Sequence, residues 1–166
     1  MLFRPRRHLT LSSFIPHRGN QHARAAGIRF VDAEKSLIDT LIVAGRPGSG
    51  KTHLLHALAN FAKHNEAITS IACLSAMQFA DEIMRGGYYG DLDVVLRRYA
   101  SEGLLAIDDI ERFFFLPEIA TALLQVMQMR QVGKRRTLLT TTLCIASAPP
   151  HPLVEFLDHQ PAVRLI

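Results

Sequence analysis

The chain has 166 residues, 48% hydrophobic and 20% charged, which suits one packed domain and excludes a charge-rich disordered chain. No apolar run approaches the roughly 18 residues needed to cross a bilayer, so no membrane partner is expected, and nothing reads as an apolar secretory signal. The net charge of +4 is unevenly placed: residues 1–31 carry six arginines and no acid, and the remainder, with 13 basic and 15 acidic residues, is −2.

That asymmetry marks residues 1–31 as a basic N-terminal arm. Such an arm could contact nucleic-acid phosphates or serve as an organelle transit peptide, but a solvated segment is the plainer reading. Residues 32–166 read as the core. Within it, Thr40-Leu41-Ile42-Val43-Ala44 is a buried strand. It leads into Gly45-Arg46-Pro47-Gly48-Ser49-Gly50-Lys51-Thr52, a complete G-x-x-x-x-G-K-[ST] phosphate-binding loop. The glycines let successive backbone N–H groups turn around a phosphate. Lys51 supplies a positive charge to the β- and γ-phosphates, and the Thr52 hydroxyl can ligate Mg²⁺. The helix that follows, with Leu54, Leu55, Leu58, Ala59 and Ala62 at helical spacing, points its positive end at the same place. Candidate nucleotide contacts therefore run from Gly45 to His53.

Further along, Thr69 to Leu74 reads as a second strand and Ser75 as the start of a helix. Gly86-Gly87-Tyr88-Tyr89-Gly90 is expected to break that helix, and Asp91 to cap the next. Leu104-Leu105-Ala106-Ile107 is a third strand, ending in the carboxylates Asp108 and Asp109. A triphosphate site needs one carboxylate for hydrated Mg²⁺ and, for hydrolysis, one for water. Asp108 is assigned to the metal and Asp109, with Lys51, to catalysis. Glu118 to Arg130 is a helix, and Thr137 to Thr142 a fourth strand. Short apolar strands alternating with helices imply an α/β fold, a mostly parallel sheet covered on both faces, with ligands at the carboxyl ends of the strands. Cys73 and Cys144 lack metal spacing and read as small core residues of a reducing compartment. His53 and His56, three apart, lack a third ligand and are not read as a metal site. Lys134-Arg135-Arg136 reads as solvent-exposed. Of Phe113-Phe114-Phe115, at least one should face outward, because three adjacent residues of a helix cannot all point inward.

Taken together, three segments resemble one family. Gly50-Lys51-Thr52-His53-Leu54-Leu55-His56-Ala57-Leu58-Ala59-Asn60 is similar to the loop and helix of the bacterial replication initiator DnaA and its short relatives. Those relatives include the regulator Hda and the DnaC/IstB-type helicase loaders and transposition ATPases. Leu104 to Glu111 resembles the family's Leu-Leu-Ile-Asp-Asp-Ile-Gln. Thr10 to Asn20 resembles a leading segment, T-F-x-x-F-V-x-G-x-x-N, that packs by the adenine. Two helices between the second and third strands resemble the insertion of the initiator and helicase-loader branch of AAA+ ATPases.

The resemblance implies an AAA+ P-loop domain binding ATP or ADP with Mg²⁺ in the bacterial cytoplasm. The implied role is regulator or accessory factor in DNA replication initiation. It implies a protein partner (an initiator, a helicase or another AAA+ subunit), and single-stranded DNA as a possible ligand of Arg97, Arg98 or the basic arm. The family's fourth strand ends in a polar sensor, for which Thr142 is the candidate here. Phe156 and Gln160 stand where the family has two arginines, with Arg164 nearby but out of register, and Ile166 ends the chain before any helical lid or helix-turn-helix domain. Hydrolysis is therefore expected to be weak or partner-dependent. Other readings are a loader-like or transposition-helper ATPase, an inactive pseudo-ATPase acting through its surfaces, and a small P-loop kinase, whose arginine-rich lid is not seen.

Overall fold

The computed structural model of the protein describes residues 3–32, 37–63, 68–142 and 145–165. Five strands make one sheet: β1 (Thr40–Gly45), β2 (Ile71–Ser75), β3 (Leu104–Asp108), β4 (Arg136–Thr141) and β5 (Ala162–Leu165). Their spatial order is β2-β3-β4-β1-β5, and every neighbouring pair is parallel. The helices are α1 (Gln21–Val31), α2 (Lys51–Lys63), α3 (Ala76–Tyr89), α4 (Leu92–Ser101), α5 (Pro117–Val132) and α6 (Pro152–Asp158). Burial on both faces explains why β1 and β3 read as unbroken apolar runs. Side-chain alternation sends Ile42, Leu105, Ile107 and Leu139 to a core under α3 to α6. It sends Leu41, Val43, Leu104, Ala106 and Leu138 to a second core under α1 and α2. The result is the three-layer α/β/α arrangement expected of an AAA+ P-loop domain, with each buried Leu, Ile or Val side chain contributing about 1.5–3 kcal/mol.

Several expectations are corrected. Gly86 and Gly87 do not break α3. The helix runs through them and ends at Gly90, which takes the left-handed conformation (φ 77°) and donates its N–H to the Gly86 carbonyl. Gly86 is small for a packing reason, since a Cβ there would lie 3.0 Å from Val95 Cγ2 and 3.2 Å from Leu92 Cα. Close approach of α4 offsets the roughly 1 kcal/mol helix penalty of a glycine. Asp91 precedes α4 without a capping side-chain bond. Ser75 does cap α3, through a reciprocal pair with Gln78.

The second strand begins at Ile71 rather than Thr69, and the fourth spans Arg136–Thr141, leaving Thr142 just outside it. Phe113 and Phe114 are buried, and Phe115 is 69% exposed on the 3-10 turn after β3. Lys134 and Arg135 are exposed, but Arg136 is half-buried and donates to the Val31 carbonyl at 3.0 Å. Cys73 is buried in β2, whereas Cys144 lies outside the described residues.

Two features were not anticipated. One is β5, a four-residue strand too short to stand out, although its alternation of Val163 and Leu165 with Ala162 and Arg164 carries a faint signal. The other is Arg130, wholly buried on α5. Its guanidinium donates to Thr137 Oγ1 (2.9 Å) and to the carbonyls of Tyr99 and Glu102 (2.7 Å each), joining α5, β4 and the end of α4. A buried cation with its donors all engaged is a tie between elements rather than a reactive group. No helix among the described residues is long and apolar enough to cross a membrane.

Candidate nucleotide site

The site forms where β1 ends and α2 begins. Gly45 is the last residue of β1, and a Cβ on it would meet Ser49 Oγ at 2.7 Å and the Leu165 carbonyl at 2.8 Å. Gly48 (φ 78°) and Gly50 (φ 91°) hold left-handed conformations that the loop's reversal requires. The first bond of the α2 ladder runs from the Leu54 N–H to the Gly50 carbonyl, so the helix itself gives the N–H groups of Lys51, Thr52 and His53 no partner. Lys51 is buried and curls back over the loop. Its ammonium donates to the carbonyls of Gly45 (2.9 Å) and Arg46 (3.0 Å). The Ser49 hydroxyl is buried without a hydrogen-bond partner. An orphaned hydroxyl and a lysine satisfied only by loop carbonyls fit a phosphate-bearing ligand, whose oxygens would engage both.

Of the segment from Gly45 to His53, one side chain faces elsewhere. His53 Nε2 lies 3.2 Å from Ser13 Oγ and 3.2 Å from the Thr10 carbonyl, and the ring meets Phe14 edge-on. Any contribution of His53 to a phosphate therefore comes from its backbone N–H. The same helix face holds the N-terminal segment at two further points. Asn60 donates to the Arg6 and Leu9 carbonyls at 2.8 Å each, and His56 Nδ1 receives the Arg6 N–H at 3.3 Å and faces the Cys73 thiol at 3.2 Å. Burial and the nearby Arg6 charge lower the proton affinity of His56. Burial and the Asp108 carboxylate push the Cys73 thiol up to about 12, which leaves it an inert core group. So His53, His56 and Asn60, which read simply as helix residues, fasten residues 6–14 to the phosphate-loop helix. Phe14 then lies beside the loop, its Cε2 3.3 Å from where a Gly50 Cβ would be.

Across from the loop, β3 and β4 present the acidic edge. Asp108 is buried at the end of β3 and accepts a hydrogen bond from the Thr140 hydroxyl, and that same hydroxyl receives the Asp109 N–H at 2.9 Å. Asp109 is left-handed (φ 61°), a conformation uncommon for a residue other than glycine. Burial, then the charges of Asp108 and Glu111, raise the proton affinity of Asp109, while Lys51 and Arg112 oppose this. Thr142, the sensor candidate, lies one residue beyond β4, where Glu111 accepts both its N–H (3.2 Å, Oε2) and its hydroxyl (2.5 Å, Oε1). Thr140 was missed as a partner of the acid pair. The available signal was alternation, which puts Thr140 and Thr142 on the same face of the extended chain.

Among the described residues no cluster of three or more His, Cys, Asp or Glu forms a metal cage. An Mg²⁺ bound with a nucleotide takes most of its ligands from phosphate oxygens and water and only one or two from protein. Arg97 is exposed on α4, but Arg98 is half-buried and ion-paired with Glu82 of α3, which also receives the Tyr99 hydroxyl. Arg98 therefore already has a carboxylate partner within the helix pair, whereas Arg97 is exposed. Phe156 packs partly against the α3–α6 core, Gln160 donates to the Phe156 carbonyl at 3.2 Å, and Arg164 is exposed on β5.

Comparison with known proteins agrees with this geometry. A family model described as the bacterial DnaA ATPase domain matches residues 6–159. The chromosomal replication initiator protein DnaA of Leptothrix cholodnii is 34% identical over 105 residues, covering 63% of this chain and 21% of that protein. The chain thus spans about a fifth of the length of the curated relatives it matches. Among solved structures, AMPPCP-bound DnaA from Aquifex aeolicus superposes with a TM-score of 0.86 at 23% identity, over 94% of this chain and 49% of that one. The DnaC helicase loader superposes with a TM-score of 0.73 at 17% identity, over 96% and 98%. With the model matched along residues 6–159 and a phosphate-loop core of this topology, the chain belongs to the bacterial DnaA ATPase domain family.

Proposed function

We propose that this domain binds ATP and ADP with Mg²⁺ and acts in DNA replication initiation as a DnaA- or Hda-like regulator or accessory factor, with hydrolysis that is weak unless a partner completes the site. The observation that carries this reading is the loop itself. Lys51 folded onto two loop carbonyls, the unpartnered Ser49 hydroxyl and the first-turn N–H groups that the α2 ladder does not use together make a preformed anion cradle. In this reading the segment Gly45 to His53 surrounds the phosphates. Thr52 and Asp108 hold Mg²⁺, which when bound neutralises phosphate charge. Asp109, poised by burial and by its neighbouring acids, orients the attacking water. The AMPPCP-bound relative supports the choice of an adenine nucleotide. Weak turnover follows from the residues at the far end. Neither Phe156 nor Gln160 can stabilise transition-state charge, and an arginine in that role is worth about 10³–10⁵ in rate. The arginine would come from a protein partner, either another AAA+ subunit or a replication protein.

Calorimetric titration with ATP and ADP in the presence of Mg²⁺ tests the reading, with Lys51→Ala as control. Binding by the wild type and a loss of at least about tenfold (1.4 kcal/mol) in the variant is the expected outcome. Equal affinities for the two proteins would remove Lys51 and its loop from the site.

A further inference from the structure

We propose that Glu111 is a positioning residue of the nucleotide site, clasping Thr142 by both its backbone N–H and its hydroxyl and so tying the end of β4 to the acidic turn that carries Asp109.

The proposal deepens, and rests on, the Mg²⁺–ATP reading. Glu111 lies two residues after Asp109, on the 3-10 turn of Ile110–Phe115. Thr142 is 31 residues away in sequence and just beyond the last residue of β4. The two oxygens of one carboxylate take the two donors of one residue, at 3.2 Å for the N–H and 2.5 Å for the hydroxyl. Such a two-point clasp fixes orientation as well as distance, and charge-assisted bonds are roughly twice as strong as neutral ones. One step earlier on the same strand edge, Thr140 bonds Asp108 and the Asp109 N–H. The turn from Asp108 to Glu111 is therefore held to β4 at both ends, with the left-handed Asp109 between them. A non-glycine residue in that conformation persists only where its surroundings over-determine it. The two threonine contacts supply that determination. Removing one end frees Asp109 to swing, and misplacing a catalytic carboxylate by an ångström can cost about a hundredfold. The residue thus helps set the place of its neighbour. Where the resembling family motif ends in Gln, this chain has the charged homologue.

The test compares wild type, Glu111→Ala and Glu111→Gln, first without nucleotide and then with Mg²⁺–ATP. Without nucleotide, the Thr142 amide in Glu111→Ala should exchange with solvent about tenfold faster than in wild type. Glu111→Gln should stay near wild type, because its amide keeps an acceptor oxygen. With Mg²⁺–ATP, kcat should fall about fivefold or more in Glu111→Ala with KM nearly unchanged, and recover largely in Glu111→Gln. Unchanged Thr142 exchange in Glu111→Ala would overturn the inference, however well the protein binds ATP. An absence of ATP binding by the wild type would instead overturn the nucleotide-site reading, and the nucleotide-free comparison would still decide the clasp. If the alanine variant folds poorly, Glu111→Asp, one methylene shorter, supplies the same exchange readout, and unchanged Thr142 exchange there would equally overturn the inference.

Discussion

Thr140 stands between two consecutive acids: its hydroxyl donates to the buried Asp108 carboxylate and receives the Asp109 N–H at 2.9 Å. One oxygen thereby orders both members of the acid pair. Replacing it with the isosteric Thr140→Val removes donor and acceptor together and leaves a buried carboxylate without that partner. The expected destabilisation is about 1–3 kcal/mol, read by urea unfolding. Mg²⁺-dependent ATP affinity should also weaken, while Mg²⁺-free affinity changes less. A variant as stable as wild type and with the same Mg²⁺ dependence would show that the hydroxyl does not organise the pair.

Gly45 tests the packing beneath the phosphate loop. A methyl group there would press on Ser49 Oγ and on the Leu165 carbonyl, and the second of these is backbone in β5. Gly45→Ala should cost about 1–3 kcal/mol by overpacking and should also displace the loop. At Gly48 nothing lies within 4 Å of a Cβ, but φ is 78°. Gly48→Ala should cost about 1–2 kcal/mol through backbone strain alone. Chemical denaturation of both variants, with ATP affinity measured beside it, separates crowding from strain.

Asp109 carries a stability cost that depends on pH. Its folded-state proton affinity is raised, chiefly by burial and then by Asp108 and Glu111. A raised pKa means that stability is fully present below the ordinary carboxylate range and is lost as pH rises through the folded value. Asp109→Asn removes that loss, and asparagine tolerates the left-handed conformation well. The variant should therefore melt above wild type at neutral pH, with the difference narrowing as pH falls into the carboxylate range. ATP hydrolysis should drop while ATP binding remains. A constant melting difference across pH would show that the Asp109 charge is not strained by its surroundings.

His56 predicts acid loosening of the N-terminal segment. Its proton affinity is lowered by burial and by Arg6, with smaller contributions from His8 and His53 in the same direction, while Asp108 opposes them. A depressed pKa gives stability that is present above the unfolded value, near 6.5, and is lost as pH falls through the folded value. A protonated Nδ1 cannot accept the Arg6 N–H. Amide exchange at Arg6, corrected for intrinsic rate, should therefore lose protection between about pH 7 and about pH 5 in wild type. In His56→Asn the change with pH should be much smaller. An equal pH response in the two proteins would place the loosening elsewhere.

The chain's order of residues alone carried the phosphate loop, the apolar strands β1 and β3, the two helices between β2 and β3, and the Asp108-Asp109 pair. All of these are local. A glycine loop between a buried strand and a helix is specified by contiguous residues, and an apolar run with both faces buried declares itself by composition. What required the tertiary structure was whatever depends on residues far apart in the chain. Thr140 meets Asp108 across 32 positions, Glu111 meets Thr142 across 31, and the Arg6 N–H meets His56 across 50. Gly86 read as a helix breaker because local propensity favours that reading, and only the approach of Val95 and Leu92 shows why glycine is needed inside the helix. Arg130 carried no local sign of its burial, because the carbonyls of Tyr99 and Glu102 that gather around it come from the end of α4. Propensity and periodicity act over a few residues, whereas hydrogen-bond satisfaction in a buried site is decided by whichever groups the fold brings together.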